Sequence, residues 1–390
     1  MKNLFPDFAM KCLKKIESAG YEAWFVGGCV RDSLIGRDFS DVDITTNALP
    51  EEIEALFDKT IPTGKKHGTI TVLIDKNPIE VTTYRSEFGY DDSRHPNEIR
   101  FEKDISADLS RRDFTINALA YNPEKNILDI YGGQKDLEKG IIKTVGNPQE
   151  RFSEDALRIL RAFRFASQLE YSIEDATVNA ALNLGKSLDR LSGERVLSEL
   201  KKLSRGKNPY VIDELLNTGC LSRFGIGKFR IKTQSFIDID ENYKTPLFFF
   251  ICEHDSVRIK ERLKADNKLI RQLEALDRFT EELLPQNKNE LKNIFRRYFD
   301  YSALYLNYIK LVNPEYYETI SGFAQEIFNN REPFLIQHLA IGGNELLKLG
   351  IKSEHIGKML EKLALAVIEK PEINCTDLLI AEAEKLNRIF

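Results

Sequence analysis

A Gly-Gly pair, an arginine one turn beyond it and two carboxylates spaced D-x-D stand close together in residues 25–46, FVGGCVRDSLIGRDFSDVDITT. A strand ending at Gly27-Gly28 and running into a helix frees backbone N–H groups where the helix dipole favours a phosphate, and Arg31, one turn on, adds a positive charge. In SDVDITT, strand alternation sends Asp41 and Asp43 to one face and Val42 and Ile44 to the core. Two carboxylates about 6–7 Å apart along a strand can jointly hold Mg²⁺ ions that bridge phosphate oxygens. A lone Gly-Gly is usually just a turn, and a lone D-x-D is usually a solvated strand edge. Both within 17 residues point to metal-assisted phosphoryl transfer.

A second constellation lies in SEDALRILRAFRFA, residues 153–166, where Asp155, Arg158, Arg161 and Arg164 recur every three residues. That spacing predicts neighbours on one helical face, opposite core residues Leu157, Leu160 and Phe163. The face reads either as a solvated charged stripe or as a reader of bases. Cytosine and adenine each present an exocyclic amino donor beside a ring-nitrogen acceptor, whereas guanine and uracil present a carbonyl acceptor beside an N–H donor. A carboxylate can only accept and a guanidinium can only donate, so Asp155 with Arg158 matches C and A and repels G and U.

The elements that must position these residues fall into two parts. Leu4 to Ala19 has helical spacing, YEAWFVGG reads as a strand entering a glycine turn, and LPEEIEALF starts a helix with proline in its first turn. TITVLI and IEVTTYR read as two strands joined at DKNP. This predicts an α/β head of about 140 residues with a mostly antiparallel sheet. From Asn147 onward amphipathic helical segments take over, with no internal repeat and no long Gly/Ser/Pro linker. The chain has 390 residues and is 42% hydrophobic, which suits several cores. Its five cysteines form no C-x-x-C pair, which argues against a zinc ribbon or a disulfide framework and for a reducing cytoplasm. The first twenty residues lack the apolar core of a signal peptide, and no stretch approaches the roughly 18 apolar residues of a membrane span. With a net charge of −5, any contact with nucleic acid must come from local basic patches.

With the two constellations in this order, the sequence resembles the class II nucleotidyltransferases: the tRNA nucleotidyltransferases (CCA-adding enzymes) and bacterial poly(A) polymerases of the DNA-polymerase-β-like superfamily. RRDFTINALAYN (111–122), DIYGGQKDL (129–137), RFSEDALRILRAFRFA (151–166) and SGERVLSELKKL (192–203) are similar to that family's later motifs. The resemblance covers roughly residues 20–205. It implies an α+β architecture, with a nucleotidyltransferase head (1–146) followed by an elongated all-α neck (147–206, base recognition), body (207–290) and tail (291–390, tRNA binding). It also implies that Asp41 and Asp43 are the catalytic ligands of Mg²⁺, that Gly28 and Arg31 serve the triphosphate, and that Arg112 touches the nucleotide. Asp113 would then lie near the ribose, where an acid favours NTP over dNTP. The alternative for that run is an Arg–Asp pair capping a helix near Thr115. Arg161 and Arg164 would hold the helix face together or touch the nucleotide. Glu80, on a neighbouring predicted strand, is either a third acid near the metals or a solvated residue.

The activity this implies is template-independent addition of CCA to tRNA from CTP and ATP, with release of pyrophosphate. The polar segment 85–105 reads as a mobile loop and resembles the flexible loop of CCA- and A-adding enzymes. An enzyme adding only the terminal A keeps the same motifs. A poly(A) polymerase would show a more basic segment than IPTGKKHGTITVLI. KKLSRGKN (201–208) and RIKERLKADNKLIR (258–271) are the candidate basic patches for a tRNA acceptor arm. The tyrosines of RRYFDYSALYLNY (296–308) have the spacing of core residues. His254-Asp255 has no histidine within the preceding 158 positions, so no second, HD-type metal site is expected.

Overall fold

The computed structural model describes residues 5–89 and 98–387. They divide into two compact units: the chain up to Arg230 together with Cys252–Ala265, and Ile231–Ile251 together with the chain from Asp266 onward.

The first unit begins with α1 (Asp7–Ser18), which buries Ala9, Cys12, Leu13 and Ile16 at helical spacing. Then come β1 (Ala23–Val26), α2 (Gly28–Leu34), β2 (Asp43–Thr46), α3 (Pro50–Leu56), β3 (Thr60–Gly64), β4 (Thr69–Ile74) and β5 (Asn77–Thr83). They are followed by β6 (Arg85–Phe88), β7 (Glu98–Phe101), α4 (Ile105–Ser110), β8 (Leu119–Asn122), β9 (Asn126–Asp129) and α5 (Gly133–Lys139). Seven strands form one sheet in the order β3-β4-β5-β2-β1-β8-β9, with β2 and β5 its parallel pair, in keeping with the mostly antiparallel sheet expected. The β4–β5 hairpin pairs Ile74 with Asn77, which leaves Asp75 and Lys76 as a two-residue turn with φ of 51° and 67°. Two consecutive positive φ values mark a turn whose twist matches the strands.

Both faces of the sheet are covered, so β1 is buried throughout. Trp24 and Val26 pack with Ile105 and Leu109 of α4, Tyr84 and Ala120. On the other face Phe25 stacks on Phe5 with ring centroids 4.0 Å apart. β2 is the central strand. It pairs with β1 through Phe25↔Ile44 and with β5 through Asp43↔Glu80. The antiparallel register places the end of β1, and hence Gly27, beside the start of β2, where Asp43 sits.

The expectation of a loop over 85–105 needs correcting. Its ends are paired strands, Arg85↔Phe101 through Phe88↔Glu98, and α4 begins at Ile105. Positions 90–97 lie outside the described residues. Along 85–88 and 98–101 the β-branched signal is weak, and charged pairs such as Arg85–Glu87 (2.8 Å) stand where an apolar stripe would mark a strand.

β10 (Ile141–Ile142) pairs in parallel with β11 (Ser172–Ile173), and between and after them come α6 (Pro148–Glu154), α7 (Leu157–Leu169), α8 (Asp175–Leu184) and α9 (Gly193–Ser204). A further short pair joins Ile226–Phe229 to Cys252–His254. His254 and Asp255 have structural duties: His254 extends that pair, and Asp255 caps the helix Ser256–Arg262 by accepting from Arg258 N at 3.0 Å. The second unit is helical. Phe279 packs against Tyr305 and Tyr308, which are 1% and 9% exposed, so these tyrosines are core. A separate apolar cluster joins Leu346, Met359, Leu363 and Leu379.

The DIYGGQKDL run has a local explanation that bears on the site. Asp129 accepts from Gly133 N (2.8 Å) and Gln134 N (2.9 Å), capping α5. Gly133 presses on the turn Thr115–Asn117: a Cβ there would lie 2.2 Å from the Thr115 carbonyl oxygen, whereas one on Gly132 would meet nothing. Thr115 Oγ1 also donates to Asp136 of α5 at 2.6 Å. Gly132→Ala is therefore expected to cost about 1 kcal/mol for its left-handed φ of 74°. Gly133→Ala should cost about 2–3 kcal/mol because backbone must move. Urea unfolding of both variants checks this; equal losses would contradict it.

Candidate active site

A cavity of about 600 Å³ in the first unit is lined by Gly27, Gly28, Arg31, Asp41, Asp43, Arg111, Arg112, Asp113, Asn117, Asp155, Leu157, Arg158, Arg161, Arg164, Phe165 and Arg195. Every site residue expected from the sequence is among them: Gly28, Arg31, Asp41, Asp43, Arg112, Asp155, Arg158, Arg161 and Arg164. Seven arginines face four aspartates on this wall, so the cavity favours a polyanion.

Its acidic corner is built by the sheet. Val42 and Ile44 are 3% and 0% exposed, so alternation turns Asp43 toward the cavity, and Asp41 lies just before the strand. Burial pushes the Asp43 carboxyl up to about 6; Arg112 opposes the shift, while Glu80 and Asp41 add to it. A carboxylate raised by burial, with acidic neighbours adding to the shift, is the environment that a divalent cation relieves. The donors are hard carboxylate oxygens, the set Mg²⁺ takes, and that ion commonly uses one or two carboxylates plus substrate phosphates. Among the described residues no three His, Cys, Asp or Glu side chains approach closely enough to cage a metal. Asp41 and Asp43 fit the substrate-completed kind of site. Glu80 flanks Asp43 in register but is exposed.

Gly27, more than Gly28, is the constrained glycine. Its φ of 75° and ψ of −137° suit glycine alone, and a Cβ would stand 3.0 Å from Arg112 Nη1 and 3.5 Å from Asp43 Oδ2. A Cβ on Gly28 would make only an ordinary 3.7 Å contact with Arg31.

Each arginine on the wall is held by a carboxylate. Arg31 pairs with Asp32 (2.8 Å), Arg111 and Arg112 with Asp108 (2.6 and 3.2 Å), and Arg158 with Glu154 (2.5 Å). Arg161 pairs with Asp113 (2.5 Å), Arg164 with Glu199 (3.1 Å) and Arg195 with Asp155 (2.9 Å). Asp108 is fully buried and also accepts from Thr45 Oγ1 at 3.3 Å, tying two cavity arginines to the strand that carries Asp43. Burial alone would raise its pKa, but Arg111 and Arg112 outweigh burial and hold it below the usual carboxylate range. Burial likewise lowers the Arg164 guanidinium to about 10, with Arg161's charge adding to the shift.

Two expectations change in detail. α7 starts at Leu157, so Asp155 precedes the helix instead of sharing its face; its carboxylate accepts from Leu157 N at 3.0 Å. Asp155 and Arg158 do not pair with each other. Arg158 spends three of its five N–H donors on Glu154 and on the Arg151 and Arg111 carbonyls, leaving two free. Nor does Asp113 pair with Arg112. It accepts from Phe114 N (2.8 Å), Asn117 Nδ2 (2.9 Å) and Arg161 Nε (2.7 Å), and Asn117 in turn accepts from Arg31 Nη1 at 2.6 Å. The segment after it is a single 3₁₀ turn, Thr115–Asn117.

Asp108, Asn117, Glu154, Phe165, Arg195 and Glu199 were not singled out from the sequence. All lie inside the quoted motif runs or within three residues of them, and SGERVLSELKKL contains both Arg195 and Glu199. What no spacing rule supplies is which acid meets which arginine across elements.

Asp113 yields a pH-dependent prediction. Burial pushes its pKa up, but Arg161's charge and the hydrogen bonds from Asn117 and Arg161 outweigh that and hold it well below the usual range. A carboxylate depressed in the folded state adds stability above its unfolded pKa of about 4, and the gain is lost as pH falls toward the folded value. Asp113→Asn should therefore cost roughly 3 kcal/mol at pH 7. The gap to the parent should narrow below about pH 4. Denaturant melts from pH 3 to 8 measure it, and a gap independent of pH would contradict the pairing.

Comparison with known proteins agrees with this geometry. Residues 23–143 match the model of the poly A polymerase head domain. The chain is 36% identical to the CCA-adding enzyme of Ligilactobacillus salivarius, over 99% of this chain and 98% of that one. It is 35% identical to the CCA-adding enzyme of Pediococcus pentosaceus over the full length of both. Among solved structures, the Bacillus stearothermophilus CCA-adding enzyme in complex with CTP superposes with a TM-score of 0.79 at 27% identity, covering 100% of this chain and 99% of that one. A cavity joining a D-x-D corner to a wall of arginines, in a chain related over its whole length to such proteins, leads to one conclusion: the chain belongs to the CCA-adding enzymes, the class II tRNA nucleotidyltransferases.

Proposed function

We propose that the chain adds C, C and A to the 3′ end of tRNA from CTP and ATP without a nucleic-acid template. The observation that carries this reading is the single cavity that holds both the acids suited to phosphoryl transfer, Asp41 and Asp43, and the base-reading pair Asp155 and Arg158. Asp41 and Asp43 would hold Mg²⁺, which when bound lowers the pKa of the attacking hydroxyl and stabilises the charge that develops on the phosphate.

The other residues bind and orient. Gly28 and Arg31 receive the triphosphate, and Arg112 stands between Asp43 and the nucleotide. Asp155 accepts from the exocyclic amino group of C or A, and the free donors of Arg158 reach the neighbouring ring nitrogen. Guanine or uracil would set carbonyl against carboxylate and N–H against guanidinium, leaving buried groups unpaired. Asp113 holds Arg161 and Asn117 in place; accepting a ribose hydroxyl there requires Arg161 to give up one contact. The primer's 3′-hydroxyl then displaces pyrophosphate from the α-phosphate. No covalent intermediate on the protein is needed.

On this reading residues 1–146 form the catalytic head, 147–206 the base-reading neck, 207–290 the body and 291–390 the tRNA-binding tail. KKLSRGKN and RIKERLKADNKLIR supply basic contacts to the acceptor arm. We place the protein in the cytoplasm: its five cysteines are all free, and no helix among the described residues is long and apolar enough to cross a membrane.

The test is primer extension on tRNAs ending at the discriminator base, after C, or after CC, with each NTP alone and all four together. Additions should stop at CCA, with GTP and UTP refused, and Asp41→Ala or Asp43→Ala should lower the rate about a thousandfold or more. A single A on the CC-ended tRNA alone would make the protein an A-adding enzyme, and long A tails on any RNA a poly(A) polymerase.

A further inference from the structure

Phe165 is the aromatic side chain of a wall that, apart from Leu157, Asn117, Gly27 and Gly28, is otherwise charged. It is 6% exposed, yet it lines the cavity. The guanidinium carbons of Arg164, Arg31 and Arg161 lie 4.0, 4.9 and 5.4 Å from its ring centroid. Phe114 meets the ring nearly edge-on, with centroids 5.8 Å apart and planes at 82°, so its orientation is fixed from behind. The three arginines come from two elements, α2 and α7, and two of them, Arg31 and Arg164, are less than a tenth exposed.

Three like charges gathered in a poorly solvated pocket repel one another. Each has its own carboxylate, Asp32, Asp113 or Glu199, but at the ring the three guanidinium groups share one neighbour. A further carboxylate there would hold them equally well while cancelling the field that draws a polyanion. An aromatic ring attracts cations through its quadrupole and carries no net charge, so it gathers the arginines and leaves the cavity electropositive. We propose that Phe165 is a positioning residue for triphosphate binding: a neutral hub that holds Arg31, Arg161 and Arg164 together and aimed at the phosphates. It acts through the arginines and touches no reacting atom. The hub therefore sets affinity for the triphosphate, common to CTP and ATP, and leaves the choice of base to Asp155 and Arg158.

This rests on the proposed function, and the experiment separates the two. The full-length chain, its Phe165→Leu and Phe165→Met variants, which keep apolar bulk, and Phe165→Tyr, which keeps the ring, are compared in three measurements: KM and kcat for CTP and ATP with a tRNA primer, inhibition by inorganic tripolyphosphate, and inhibition by cytidine. The hub predicts that Leu and Met raise KM for CTP and ATP, and Ki for tripolyphosphate, by a common factor of about ten or more. It predicts that kcat, the refusal of GTP and the Ki of cytidine change far less, and that Tyr recovers most of the loss. If Leu or Met folds with unchanged KM and tripolyphosphate Ki, the hub is overturned. It is also overturned if cytidine weakens as much as tripolyphosphate, or if Tyr fails as badly as Leu, because then the ring merely fills space. Should Leu fail to fold, Met decides. If the parent chain itself binds neither CTP nor tripolyphosphate, the functional reading falls first.

Discussion

The structure depends on one electrostatic arrangement: seven arginines face a single cavity, and every one is anchored by a carboxylate, most of them set behind the wall. Without the acids the guanidinium groups would repel one another and bury uncompensated charge, a cost of several kcal/mol each. With the acids inside the cavity the field would vanish. Placing Asp32, Asp108, Glu154 and Glu199 outside the lining satisfies both demands. Asp108 shows the economy of this, since one buried carboxylate holds two consecutive arginines and a threonine of the central strand.

The sheet and helices serve that arrangement. Antiparallel pairing of β1 with β2 sets the Gly27 turn beside Asp43, and the absence of a side chain on Gly27 lets Arg112 come near the acids. The α5 cap, through Gly133 and Asp136, presses on the turn that carries Asn117, and Asn117 links Arg31 to Asp113. A motif remote from the chemistry thus reaches it through two contacts. α7 supplies Arg158, Arg161, Arg164 and Phe165, while α9 returns Arg195 and Glu199 to meet it.

Much of this was legible from residue types and spacing. The D-x-D alternation gave the acidic corner because burial of Val42 and Ile44 is a strong, local signal. The passage from a sheet-bearing head to a helical remainder followed from the change of hydrophobic period near Asn147, although the two compact units divide further along the chain, and the tyrosines near 305 were core because their spacing said so. The cross-element pairings were not legible. Triplet spacing put Asp155 on the helix with Arg158, yet the helix starts two residues later and each turns to a different partner. The paired strands at 85–88 and 98–101 were hidden because no apolar stripe marks them: their charged pairs run along single strands, and it is the backbone ladder that joins the two. Gly27 outranks Gly28 for a reason only the fold supplies, the approach of Arg112.

The central claim is that protein side chains, not a nucleic-acid strand, select the base. Equilibrium binding of CTP, ATP, GTP and UTP to the chain without RNA, repeated with Asp155→Ala, tests it most directly. The account predicts that CTP and ATP bind at least about tenfold more tightly than GTP and UTP, and that the preference collapses in the variant. Equal binding of all four nucleotides, or a preference that survives loss of Asp155, would contradict it.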